Sequence, residues 1–273
     1  KEYALLDGEK PEVAKAIFEQ YMPRFAGDIL PQQEIGRALS LADKLDNLAA
    51  TFLRGLIPTG SQDPFALRRQ TIGAVNILTD GKIHWDIRRG IEAALALLPG
   101  DEETKKTVLS QIEDFFRQRI KAIMLDEGIA YDIIDAVLAG PVDDIYALFL
   151  KARSMAESQL KGEAELRQAV TRLANITKGK AGGKVDPSLF TEDVEKKLQD
   201  AFEAVSAKAL PLFASYEYGK ALPALKELTA PINDYLDNVM VMVDDEAVKN
   251  NRISQLLATL ALFNTWGDFS KLV

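Results

Sequence analysis

The chain contains no cysteine among its 273 residues and only one histidine, His84. The first absence excludes disulfides, thiolate metal sites and cysteine nucleophiles. The second leaves too little imidazole for a metal site that needs several histidines beside its aspartates. No apolar run approaches the length of a membrane span, about 20 residues, and no basic-then-apolar leader opens the chain. Neither a GxxxxGK[ST] phosphate loop nor a glycine fingerprint after a strand is present. A cytoplasmic protein that does not engage a membrane is expected. Basic residues are in deficit too: 33 Lys and Arg against 41 Asp and Glu give a net charge of −8. That argues against a surface that coats RNA generally, because counterion release needs Lys and Arg gathered near phosphates.

What is present suits a folded body. At 47% hydrophobic the chain can bury a substantial core, and its length allows two domains or one elongated helical body. It begins with Lys1, and its first residues already read as folded sequence, so a portion of a longer protein is expected. The charge is uneven. Residues 151–184 hold eight basic side chains against three acidic ones. Such a stretch reads either as a solvated helix face or as one basic stripe on an acidic body.

Apolar spacing is helical along most of the chain. Helices are predicted over Glu12–Tyr21, with Val13, Ile17 and Phe18 as the apolar stripe, and after Pro31, with Ile35, Leu39, Leu45 and Leu48. Gly and Pro make residues 55–62 a loop; Asp63 then reads as an N-cap with Pro64 in the first turn. Further helices are predicted over Ile91–Leu98, Thr104–Leu125, Asp132–Leu138, 143–161, 163–177, 191–209, 219–237 and 245–265. Residues 178–184, with three glycines, read as a flexible loop. Val239 to Val243 are five consecutive apolar residues, three of them β-branched, which suits a buried extended link with Met240 and Met242 in the core. Asp244 then reads as the N-cap of a last helix that places Ile253, Leu256, Leu257, Leu260 and Phe263 on one face and stops at Gly267. The sum is an all-α fold.

Four ordered strings carry a resemblance. They are Ala42-Asp43-Lys44-Leu45-Asp46; Pro58-Thr59-Gly60-Ser61 with Asp63-Pro64-Phe65-Ala66-Leu67-Arg68-Arg69; Asp114-Phe115-Phe116-Arg117-Gln118-Arg119 with Tyr131-Asp132 and Asp135-Ala136-Val137-Leu138-Ala139; and Asp237 to Glu246 with Asn251-Arg252. Together they resemble the carboxyl-terminal portion of the bacterial glycyl-tRNA synthetase beta subunit, over essentially the whole chain. The last string resembles the close of a DALR-type anticodon-binding domain. The resemblance implies an HD-like helical segment over 1–80, a helical connector over 81–150 and a DALR-like anticodon-binding bundle over 151–273. It also implies glycine tRNA as a partner, a separate alpha subunit that holds the catalytic core with ATP and magnesium, and a heterotetramer of two alpha and two beta chains. No cofactor is implied in this portion, and no catalysis by it alone.

Within that frame, Arg167, Arg172, Lys178, Lys180 and Lys184 are candidate phosphate contacts, the lysines as a mobile clamp. Asn175 and Arg252 are placed near a base-reading surface, since unstacked bases want stacking planes and polar groups at their edges. Arg172 and Asn175, three apart on one helix face, equally suit a tie between helices. Asn251 and Arg252 equally suit a bond to the loop before them. Tyr216 and Tyr218 are weaker stacking candidates. Asp43 falls where an HD hydrolase keeps a metal-binding aspartate, but the paired His-Asp is missing, and Asp43, Lys44 and Asp46 read as helix-surface charge. His84 reads as structural, and Thr59-Gly60-Ser61 as a tight turn, with Arg68 and Arg69 as RNA or inter-domain contacts. The rival readings are a helical scaffold for subunit or domain assembly and, behind it, an HD-type metal hydrolase.

Overall fold

The computed structural model describes residues 1–273 apart from Gln159. Among the described residues it is helical throughout, with no β-sheet and only the isolated bridges Thr59–Gln62 and Asp86–Asp144. The all-α expectation holds. The chain divides into two compact units, Lys1–Glu127 with Pro141–Phe149, and Gly128–Gly140 with Leu150–Val273.

The first unit contains α1 (Glu2–Leu6), α2 (Pro11–Glu19), α3 (Glu34–Leu53), α4 (Leu67–Asp80), α5 (Ile87–Ala96) and α6 (Glu102–Asp126). Helix α3 is its hub and packs against α2, α4, α5 and α6. Leu41, Leu45, Leu48 and Phe52, spaced four, three and four apart, form its buried stripe. Phe52 meets Phe115 of α6 edge-on, with ring centroids 5.2 Å apart. The start of α3 is capped from outside: the buried Glu19 carboxylate accepts from the backbone N–H groups of Gln32 and Gln33 at 3.2 and 3.1 Å. Gly36 permits that approach, because a Cβ there would lie 1.9 Å from Glu19 Oε2. This contact turns α2 so that Ala14, Ala16 and Glu19 face inward, while Val13, Ile17 and Phe18 stay exposed, the reverse of the stripe read from spacing. Asp63 does cap α4, accepting from the N–H groups of Leu67 and Arg68, but the helix starts three residues later than its Pro64 suggested.

Helix α7 (Tyr131–Val137) belongs to the second unit, and the division falls within α8 (Ile145–Glu157). The second unit continues with α9 (Ala164–Thr177), α10 (Asp193–Ala214), α11 (Leu222–Lys226), α12 (Thr229–Asn238) and α13 (Glu246–Asn264). The one helix expected over 219–237 is broken into α11 and α12. Pro231 has no N–H to return to the Glu227 carbonyl, which removes a helical bond at the break. Helix α13 opens on Asp245 rather than Asp244, and the Asp245 carboxylate accepts from Ala247 and Val248 N–H. It is enclosed on nearly every side, with Asn251 to Leu256 all buried, because α9, α10 and the short turn Pro187–Leu189 surround it. Beyond it, Gly267 does more than stop the helix: a Cβ there would lie 3.0 Å from Met155 and 3.2 Å from the Ala136 carbonyl. Trp266 donates its indole N–H to Lys151 O and Ser154 Oγ, at 3.2 and 3.1 Å.

Lys44 departs from its reading as a surface charge. It is buried, and its ammonium donates to Met22 O at 2.9 Å and Ser40 Oγ at 2.7 Å. Burial pushes its pKa down to about 8, with Asp43 opposing weakly. Between about pH 8 and the ordinary lysine value of 10.5 the folded chain therefore binds fewer protons than the unfolded one. Stability is expected to rise with pH across that window. Urea unfolding of the wild type should show the rise and Lys44→Met should lack it; parallel curves would refute the assignment.

Candidate nucleic-acid interface

Apart from Arg167, which lies at the start of α9, the candidate residues fall on the second half of α9, the loop 178–186 and α13 next to the link that precedes it. At the base of this region lies a buried ion pair. Arg252 of α13, 5% exposed, sets its Nε 3.0 Å from Glu195 Oε1 of α10, and Glu195 is fully buried. The remaining guanidinium donors reach Thr191 Oγ1 at 2.7 Å and the Met240 carbonyl at 2.8 Å. Glu195 also accepts from the N–H groups of Thr191 and Glu192, closing a capping box on α10. Burial raises the Glu195 pKa, but the Arg252 hydrogen bond and the two N–H donors more than offset it, so the carboxyl sits below its ordinary value. The Glu195 hydrogen bond correspondingly raises Arg252.

Arg252, expected near a base-reading surface, is enclosed, and its guanidinium is directed at Glu195, Thr191 and Met240 rather than at solvent. Its alternative reading, a bond to the segment before it, matches the Met240 contact, whereas Asn251 reaches a different loop, at Asp186. The Asn251 side chain accepts from Asp186 N–H at 2.7 Å and donates to Asp186 O at 3.0 Å. With Gly183 N–H donating to Ser254 Oγ at 2.8 Å, these bonds fasten the glycine-rich loop along α13. The loop, expected to be mobile, is a strap tied to α13 at Gly183 and Asp186. Gly182 runs so close to α13 that a Cβ would lie 2.9 Å from Leu257.

Arg167 and Arg172 also turn inward or sideways. Arg167 donates to the Leu272 and Lys161 carbonyls, both at 3.1 Å. Arg172 bridges α9 to α12 through Asn233 Oδ1 at 3.0 Å and Asp237 at 2.5 Å, as the helix-tie reading has it. Asn175, Lys178 and Lys184 are exposed, and Lys180 is partly exposed with its Nζ 3.1 Å from Met242 Sδ. Met240 and Met242, expected in the core, point to solvent. The link leaves α12 extended at Val239 and bends at 241–242, and burial alternates along it: Val239 and Val241 are buried and the two methionines are not. Of the tyrosines, Tyr218 is buried against Phe213, and Tyr216 is the more exposed.

In the first unit, Asp43 accepts from Gln20 and Asn47, and His84 Nδ1 lies 2.8 Å from Asp144. Arg68 folds back onto the Gly60 and Gln62 carbonyls, and Arg69 reaches the Arg24 carbonyl. Among the described residues, no three His, Cys, Asp or Glu side chains are grouped so as to hold a metal ion. None of the described helices is long and apolar enough to cross a membrane.

The helix bundle around α13 belongs to a recognised class: residues 166–267 match the family model described as the DALR anticodon binding domain. Residues 1–139 match the one described as the glycyl-tRNA synthetase beta subunit. Similar proteins include the glycine–tRNA ligase beta subunit of Clostridioides difficile, 42% identical across all of this chain and 40% of that protein. Those of Desulforamulus reducens and Shouchella clausii are each 39% identical over the same shares. The chain therefore belongs to the glycyl-tRNA synthetase beta-subunit family, and it spans about 40% of the length of these curated relatives.

Replacing Arg252 with alanine strands the Glu195 charge in the interior. The expected loss is about 3–5 kcal/mol, measured by urea unfolding at neutral pH. Because Glu195 stays ionised below its ordinary value of 4.5, the pair's contribution is complete above that pH and fades as pH falls through the lower folded value. The difference between wild type and Arg252→Ala should shrink correspondingly in acid.

Proposed function

We propose that this chain is the tRNA-binding portion of a glycine–tRNA ligase beta subunit. It holds the anticodon arm of glycine tRNA so that the acceptor end reaches the active site of an alpha subunit, in a cytoplasmic assembly of two alpha and two beta chains. ATP and magnesium act in that alpha subunit; the sequence of this chain has no GxxxxGK[ST] phosphate loop, and its described residues hold no cluster of metal ligands. The observation that carries the reading is the coincidence of the anticodon-binding match over 166–267 with a strap, following the exposed Asn175 in the chain, that carries the exposed Lys178 and Lys184 and the partly exposed Lys180. The lysines meet phosphates, and Asn175 offers both donor and acceptor to a base edge. Arg167 and Arg172 contribute by holding α9 in place, with the outer edge of Arg172 within reach of the RNA backbone. Arg252 contributes from beneath.

Titration of the assembled enzyme with glycine tRNA and a non-cognate tRNA at two salt concentrations tests this. A cognate preference that survives added salt is expected. The triple variant Lys178→Ala, Lys180→Ala, Lys184→Ala should weaken both and reduce the slope of log K against log salt by about two, at roughly 0.7 for each phosphate left without its lysine. An unchanged slope removes the lysines from the interface, and the absence of any cognate preference removes anticodon reading.

One observation favours a scaffold reading for the first unit. An apolar cleft of about 730 Å³ lies between α3 and α5, lined by Ala38, Leu41, Leu45, Trp85, Ala93 and Leu97 among others. Leu97 at its edge is 84% exposed. If the cleft takes part in assembly, Leu97→Asp should lower the mass seen by sedimentation without unfolding the chain; an unchanged mass rejects it.

A further inference from the structure

We propose that Met240 and Met242 form a platform on which an unstacked base of a single-stranded RNA loop rests, with Lys180 beside it for the adjoining phosphate. The inference deepens the anticodon-binding reading above and rests on it. Met240 is 73% exposed and Met242 56% exposed, although the residues alternating with them, Val239 and Val241, are buried. The Met240 backbone is held from below, since Arg252 donates to its carbonyl at 2.8 Å. Lys180 touches Met242 through Nζ and Sδ at 3.1 Å, so a cation stands at the edge of the thioether surface. That cation sits on the strap that Asn251 and Ser254 fasten to α13.

The chemistry favours a nucleobase. A base has an apolar face, and polarizable sulfur lies well against aromatic surfaces. Single-strand readers pair such surfaces with a cationic groove that follows the backbone. The surrounding carboxylates are largely committed elsewhere. Asp237 is paired with Arg172, Asp245 caps α13 and Glu246 is paired with Lys249. Asp244 is exposed and makes no hydrogen bond or ion pair among the described residues.

The test uses the full-length beta subunit assembled with the alpha subunit. The probes are glycine tRNA, its isolated anticodon stem-loop, and a glycine tRNA lacking the anticodon arm. Met240→Ser with Met242→Ser should weaken the first two about tenfold, the effect of losing one stacked base, leaving the salt slope and the armless tRNA unaffected. Met240→Leu with Met242→Leu should retain most of the affinity. Equal binding by the serine pair and wild type overturns the platform while leaving the anticodon reading intact. A wild type that binds intact tRNA but not the stem-loop overturns the reading and the platform with it. A serine pair that binds tRNA normally but releases the alpha subunit makes this face a protein contact and also overturns the proposal.

Discussion

The Arg252–Glu195 pair is the constraint on which the second unit's arrangement depends. Removing two charges from water costs several kcal/mol for each ion, and mutual attraction alone does not reliably repay it. Here the surplus comes from secondary bonds: Thr191 and Met240 accept from the guanidinium, and the Thr191 and Glu192 N–H groups donate to the carboxylate. Three of those bonds fix residues 191–192 before α10, and the fourth fixes the link at Met240. The pair joins the start of α10, the second turn of α13 and the link before it, three segments that share no local sequence. Gln255 adds a fourth tie by donating to the Glu195 carbonyl at 2.7 Å. A hydrophobic pair of equal volume would fill the same space without specifying where the Met240 backbone lies.

Arginine and lysine divide the work in this region. The planar fork of arginine satisfies several acceptors at once, and Arg167, Arg172 and Arg252 are all used to join elements. Lysine carries a compact charge on a flexible stem, and Lys178, Lys180 and Lys184 lie along the strap. The basic stretch 151–184 is therefore narrower as a binding surface than its composition suggests. Part of it is neutralised within the unit, as where Lys161 meets the buried Asp132 at 3.0 Å. An acidic chain can still offer RNA a local cationic track, because screening limits each surface charge to about 8–10 Å at physiological salt.

The helices were legible because their spacing and caps are local. Helix α6 and its Phe115, Phe116 and Ile120 stripe follow from periodicity alone. What escaped were features decided by partners far along the chain. Nothing near Arg252 announces that Glu195, 57 residues earlier, will enclose it. Likewise three glycines in seven residues signal freedom only if no helix waits beside them. Lys44 escaped for the same reason: a charged residue in a helix reads as surface until the packing of α3 against its neighbours is known. The family was legible because its strings are read in order along the chain. The candidate contacts were legible as residue types but not as directions, and an interface is defined by direction.

The strap shows what that difference means for binding. A loop of free lysines would lose conformational entropy when it closed on RNA, and this loss is charged against affinity. Here folding has already tied the backbone of 183–186 along α13 through Gly183–Ser254 and the reciprocal Asp186–Asn251 bonds, so at Lys184 chiefly the side-chain stem remains to be ordered. The glycine content then has a steric rather than a dynamic meaning. Gly182 lets the chain approach Leu257, and Gly179, with φ of +71°, lets it turn away from α9 without strain. A side chain at Gly182 would lift the strap from α13, and Lys180, two residues before it, would move with it. The spacing between that cation and Met242 is thus set by a contact made on the opposite side of the loop.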